Sequence, residues 1–440
     1  MTDSLQLDYA WQRPEAIHGE ELRATWASLR VISGSECLTR ILDRTARSVR
    51  EEIYVPLYPL AEWIAENWWS LLYEPEIPQL REKRGFRTRH DLALVGDGLA
   101  MPRVEIVPFG ETVRIEWEQK SHPYQQIDFL SRGRTLVRTQ DVRDGLYAFV
   151  QGVCERLEQS GLRGTWLQQS WQTVKQSMQD PEETAFCRAA AQMGQDPYAL
   201  KETEAEELLQ ASRILPSSLL HEFLQLAPEK GFADRAQEMG RDLEWIEGNR
   251  DSWEDLSRLR AEAGQPEDRA RPWEQGYRMA RAVRSFLGCN GNVPGTLEQL
   301  LAWLGGSMQS LRLRERSGGD LPGLTALVSE NEKGCPGFVL SERKRPENRA
   351  FAFCRGLGEY FLHPGSASLV NTANTDRQKR NRAFAAELMA PAERIREHLS
   401  GWEATPEEID EIACSLGVSS YVVLHQMENH DLAVTRKMEV

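Results

Sequence analysis

Arg355 and Glu359 stand four residues apart in the run Phe351-Ala352-Phe353-Cys354-Arg355-Gly356-Leu357-Gly358-Glu359-Tyr360-Phe361-Leu362-His363. That spacing puts both charges on one helical face. The apolar residues Phe351, Phe353, Leu357, Tyr360, Phe361 and Leu362 predict that the helix is buried. The neighbourhood in sequence is strongly basic, with Arg343, Lys344, Arg345 and Arg349 before the run and Arg377, Lys379, Arg380 and Arg382 after it. Two chemistries fit these types. Arg355, Glu359, Arg377 and Arg380 could form a cationic pocket, since guanidinium forks suit phosphate or carboxylate; the ligand would be a nucleotide, a nucleic-acid end or an acidic peptide. Alternatively, Glu359 neutralises both Arg355 and Arg380 in an internal ion pair. Candidates for catalysis are Arg355, Glu359, His363 and Asp376, either metal-free or with a relocated metal site on His363 and Asp376.

The run also has the frame of a zinc-peptidase helix, in which two His four residues apart bind the ion and a Glu beside the first is the general base. Those three positions here are Arg355, Glu359 and Gly356. Phe351, Leu357, Gly358, Tyr360 and His363 agree with the pattern F-x-x-A-H-E-L-G-H-Y-x-x-H, and Arg382-Ala383-Phe384-Ala385-Ala386-Glu387-Leu388-Met389-Ala390-Pro391 with a second signature, N-x-F-A-A-x-L-L-M-P. In these two segments the chain resembles the ImmA/IrrE metallopeptidases. The resemblance implies a zincin-like domain in the last third of the chain. It also implies a third metal ligand, a Glu, where this sequence has Gln378 and Arg380. With neither ligand pair nor base kept, no metal and no cofactor are expected. ImmA/IrrE proteins commonly act on repressors in stress or phage-related circuits, so the resemblance implies a non-catalytic regulator or sensor that binds a partner without cutting it.

The elements that must hold these residues are legible around them. Helices are predicted over 273–287 and within 292–304, and extended runs over 307–313, 324–328 and 337–340. At the C-terminus, Ile412, Ala413, Leu416, Gly417, Val418, Ser419 and Val423 spell a helix-turn-helix. Its second helix presents Tyr421, His425, Gln426, Glu428 and Asn429 with no Arg or Lys, which offers little to a phosphate backbone. A DNA-associated regulator is therefore the lesser reading, and packing against the core the greater.

The fold class expected is α+β in three parts: a separate α+β domain over 1–175, a helical connector over 180–268 and the peptidase-like domain over 270–440. In the first, residues 29–32 and 39–42 flank Gly34 as a hairpin, a Trp-rich helix runs over 61–72, strands over 104–107, 113–117 and 126–130, and a helix over 142–157. Asp180-Pro181 and Asp196-Pro197 read as helix starts, and residues 264–268 as a linker. His221-Glu222 carries no metal expectation, because Gln225 stands where a second His would be.

At 440 residues the chain is long enough for two or three domains. A net charge of -14 disfavours non-specific binding to nucleic acid or anionic membranes and leaves specific contacts open. No apolar run approaches the roughly 20 residues of a membrane span, and the start at Met1-Thr2-Asp3-Ser4 is polar, so a cytoplasmic protein is expected. The partners expected are a protein or a small anionic ligand. The seven cysteines are scattered with no C-x-x-C pair, which argues against a disulfide framework or a structural zinc. No repeat, P-loop or dinucleotide fingerprint is present.

Overall fold

A computed structural model describes residues 4–435 apart from 15–16, 77–84, 97, 110–111, 122–125, 227–230, 249–252, 264–270, 290–292, 315–320, 322, 342–344, 364 and 374. The chain divides into two compact units, Met1–Leu208 and Leu209–Val440, each mixing helices with small sheets. The cut falls inside the helical stretch 180–268, so that stretch is shared between the units. The expected linker at 264–268 lies outside the described residues.

In the first unit, strand Trp26–Ser33 pairs antiparallel with Leu5–Trp11, Glu36–Cys37 and Ile53–Pro56. The hairpin at Gly34 forms, with Gly34 at φ 61, but its return is Glu36–Cys37. Residues 41–43 instead join Ser48–Arg50 and Ile127–Phe129 in a second sheet. A third sheet orders Gly133–Arg138, Thr112–Glu118 and Arg103–Phe109. Val113, Ile115 and Trp117 are buried while Arg114 and Glu116 are not, the period-two pattern of a strand with one face on the core. The helix expected over 61–72 is two helices, Tyr58–Glu66 and Trp68–Tyr73. They break at Asn67, whose side-chain amide donates to Trp63 O at 2.8 Å and so competes with helix continuation. Helix Thr139–Gln159 follows the third sheet. Trp166–Gln179 and Pro181–Gln192 start at the caps Thr165 and Asp180. Asp196-Pro197 begins no helix; the next one starts at Glu202.

The second unit is built on a four-stranded sheet in the order Leu311–Arg314, Pro336–Ser341, Ala326–Glu330, Ser368–Val370. The first pair is parallel and the other two are antiparallel. Helix Pro346–Leu362 lies against this sheet, with every residue from Ala352 to Leu362 buried. Helix Pro272–Phe286 packs along Asp376–Met389, so closely that a Cβ on Gly276 would stand 2.3 Å from Arg380 O and 2.9 Å from Phe384 N. Only a glycine admits that approach. Segments upstream of residue 270 belong to this core. Trp253 packs on Phe338 and Phe353 with ring centroids 5.7 and 6.2 Å apart, and Asp242 of helix Phe232–Gly248 pairs with Arg312 at 3.5 Å and with Arg314.

The C-terminal pair, Pro406–Leu416 and Ser420–Asn429, forms the expected helix-turn-helix. Its Ile409, Ile412, Leu416, Val423 and Met427 join the same core. Gln426, expected on the outer face, is instead fully buried and donates to Glu387 Oε2 at 3.0 Å and Ala390 O at 2.9 Å. Among the described residues no helix is long and apolar enough to cross a membrane. All seven cysteines are free, four of them buried.

Candidate functional site

Helix Pro346–Leu362 starts with Pro346 in its first turn and carries Arg355 and Glu359 inward, 5% and 2% exposed. Charges so deeply placed need partners, since an unpaired buried ion costs several kcal/mol. The next helix, Asp376–Met389, supplies them. It is capped by Thr375, which accepts from Gln378 N at 3.2 Å, and this fixes the first turn beside the edge strand Ser368–Val370.

Arg355 donates from Nε to Asn381 Oδ1, and from Nη2 to Asn371 O and Gln378 Oε1, each at 2.7 Å. Glu359 takes Arg377 Nε at 2.6 Å on one oxygen and Asn381 Nδ2 at 2.7 Å on the other. Asn381 therefore bridges the two charged positions. The pair expected between Glu359 and both Arg355 and Arg380 is corrected: among the described residues the cation on Glu359 is Arg377. Arg380 turns instead to His363, with Nη1 3.0 Å from Nε2. Since a guanidinium can only donate, His363 Nε2 is the acceptor and the ring is neutral. Burial, together with Arg377 and Arg380 and against the pull of Glu359, lowers the His363 pKa to about 4.

A third acidic group enters from helix Ser217–Leu226. Glu222 is buried, pairs with Arg377 Nη1 at 3.0 Å and accepts the Leu369 amide at 2.5 Å. Burial, against the attraction of Arg377 and helped by the nearby Glu359, pushes its pKa up to about 7. Arg377 thus lies between two carboxylates, and its third nitrogen donates to Ser368 Oγ. Gln378 spans the site from the other side, donating to Leu369 O at 2.8 Å while its oxygen receives both Arg355 and Asn371 N. The outward amide and carbonyl of Leu369 are therefore both held by side chains.

The remaining candidates are scattered. Asp376, half-buried and raised in pKa by burial, has Lys379 and Arg380 as its charged neighbours and makes no hydrogen bond to His363. Arg382 donates to Ala373 O, and burial lowers its pKa. Arg345 is exposed, Arg349 is half-buried, and Arg343 and Lys344 lie outside the described residues. The sequence reading missed Glu222, Asn371 and Asn381. Only Glu222 carried a signal: it is a lone carboxylate in the apolar run Leu219-Leu220-His221-Glu222-Phe223-Leu224.

Residues 329–428 match the family model described as the IrrE N-terminal-like domain of peptidase family M78. This region belongs to the IrrE N-terminal-like family. No curated protein matches the chain. At the positions that the sequence resemblance assigns to zinc ligands, the side chains are committed to one another rather than free to face a metal. Arg355 offers donors and no lone pair, and Gln378 and Glu359 are already engaged within the network. At the position that the resemblance assigns to the general base, a Cβ on Gly356 would lie 2.9 Å from Val328 Cγ2 and 3.3 Å from Phe338, so any side chain there would have to displace Val328. Among the described residues, no group of three or more His, Cys, Asp or Glu is placed to hold a metal.

Proposed function

We propose that this protein is a non-catalytic regulator or sensor. Its IrrE N-terminal-like domain keeps the zincin-like framework as a binding scaffold, and the former metal cleft is an internal polar lock. The observation that carries this reading is the direct bond from Arg355 to Gln378, with Asn381 joining Arg355 to Glu359. Three positions that would each turn a lone pair toward a metal turn toward one another instead. A buried network with its members satisfied rigidifies a core. It does not activate water.

The internal-pair reading gains over a cationic ligand pocket at Arg355, Glu359, Arg377 and Arg380, because Arg355 is spent on three buried acceptors and Arg377 on two carboxylates. A relocated hydrolase site on His363 and Asp376 gains nothing from the geometry. The helix-turn-helix as a DNA reader is weakened by the burial of Gln426 and by the pairing of exposed His425 with Glu428 at 3.4 Å. Within this proposal the protein is cytoplasmic and acts by holding a protein partner, in the manner of stress or phage-related regulators.

The test is elemental analysis of the dialysed full-length protein alongside a pull-down and a cleavage assay on whatever protein it retains. The reading expects substoichiometric zinc and a partner recovered intact. About one zinc per chain, or partner cleavage abolished by chelator, would end it.

A further inference from the structure

The first unit contains a cavity of about 360 Å³ that none of the functional readings above uses. It lies among helices Trp68–Tyr73, Thr139–Gln159, Trp166–Gln179 and Pro181–Gln192. Small-molecule sites have about this size or more, with aromatic walls and few polar groups. Of its aromatic lining Tyr147 is exposed and Tyr73 half-buried, and the buried Trp68 and Trp69 form the layer behind them. Trp69 Nε1 donates to Tyr198 OH at 2.9 Å, and that hydroxyl lies 3.1 Å from Ser177 Oγ. Trp68 packs edge-on against Trp171 at 5.0 Å, and Trp171 Nε1 donates to Gln151 at 3.1 Å.

Two guanidiniums stand at the rim, Arg143 and Arg188. Arg143 is offset by Asp144 at 3.5 Å, and Asp144 is further held by Gln140 at 2.8 Å. Arg188 is different. It has no carboxylate and no hydrogen-bond acceptor among the described residues, and its guanidinium lies 4.8 Å over the Tyr73 ring. The rim therefore carries one more positive than negative charge, which repels cations that the aromatic walls alone would welcome. It also leaves one preorganised fork for an anion.

We propose that this cavity binds a planar aromatic ring bearing an anionic group, of mononucleotide size, with the ring against Tyr73 and Tyr147 and the anion on Arg188. The inference does not depend on how the second unit works.

The experiment is saturation-transfer NMR and equilibrium dialysis on the full chain with AMP, GMP and UMP, their nucleosides, inorganic phosphate and indole-3-acetate. The expected result is that a nucleoside monophosphate or the aromatic carboxylate binds at least tenfold more tightly than nucleoside or phosphate; the better arm identifies the source of the anion. Arg188→Gln and Arg188→Glu, at an exposed position, should weaken that binding at least tenfold with thermal midpoints unchanged, and Tyr147→Ala, whose ring also packs on Trp68 and Trp171, should weaken it severalfold at a temperature where the variant is folded. The proposal is overturned if nothing binds at millimolar concentration, if nucleoside or phosphate alone binds as well, or if binding survives both the Arg188 and the Tyr147 substitutions.

Discussion

Replacing Glu222 with Gln tests whether the lock is built as described, because it changes one charge and keeps an oxygen for the Leu369 amide. In the folded chain the Glu222 pKa stands at about 7 against an ordinary 4.5. Between those values the folded chain holds a proton that the unfolded chain has released. Raising the pH from 4.5 to 7 therefore removes stability, by about 3 kcal/mol at 1.36 kcal/mol per pH unit. His363 works in the opposite sense. Its pKa falls from 6.5 to about 4, so the unfolded chain takes up a proton that the folded chain refuses, and raising the pH from 4 to 6.5 adds about 3 kcal/mol. In the native protein the two contributions largely cancel between pH 4.5 and 6.5. In Glu222→Gln only the His363 contribution remains, so the variant should gain on the native protein by about 3 kcal/mol between pH 4.5 and 8. Urea unfolding at fixed pH values, read by hydrogen exchange in peptides of the buried helix Pro346–Leu362, reports on the second unit specifically. A difference that does not vary with pH would refute the reasoning. So would a variant that loses ground as the pH rises, which would mean that Arg377 holds Glu222 more tightly charged than neutral.

Arg355→Ala should cost about 3 to 5 kcal/mol, since it strands the buried acceptors on Asn371, Gln378 and Asn381; adding Glu359→Ala should not restore the loss, because that carboxylate serves Arg377, and denaturant midpoints of the single and double variants would show it. Gly276→Val should destabilise the second unit by about 1 to 3 kcal/mol or more by forcing its helix off Arg380 O, measured as a fall in thermal midpoint. Writing the peptidase residues back, Arg355→His with Gly356→Glu and Glu359→His, should yield neither stoichiometric zinc nor proteolysis, because Gln378 supplies no anionic ligand and a side chain at 356 must displace Val328; one zinc per chain by elemental analysis would contradict this.

The helix that carries the site was readable because its apolar residues outnumber everything else on it, and burial is what such a pattern predicts. The partners of its charges were not. Spacing rules speak only for groups on the same helix, and they favour Arg355 with Glu359; the long Arg355 side chain instead reaches Asn371, Gln378 and Asn381, 16 to 26 residues further on. Glu222 comes to Leu369 from 147 residues away, a distance over which no local pattern carries information. In the first unit the edge strands Arg103–Phe109 and Ile127–Phe129 were legible, whereas the edge strands Leu5–Trp11, Ser48–Arg50 and Gly133–Arg138 were not. Gly133–Arg138 turns Leu136 outward, 53% exposed, and buries only Val137, so its hydrophobic pattern points to no face. The break at Asn67 was hidden by the aromatic and aliphatic residues on both sides of it.

Ser368–Val370 ends the sheet of the second unit, and a sheet's end is ordinarily a template on which a strand from another molecule can grow. A residue of such an incoming strand would offer Leu369 one carbonyl and one amide. Glu222 and Gln378 already offer an oxygen and an N–H in those two places, so together they imitate a single residue of a strand that is not there. Any chain adding to this edge at Leu369 would first have to evict a carboxylate from Arg377 and an amide from Arg355. The side chains that fill the cleft, Glu222 and Gln378, therefore also shield the domain against edge-to-edge self-association.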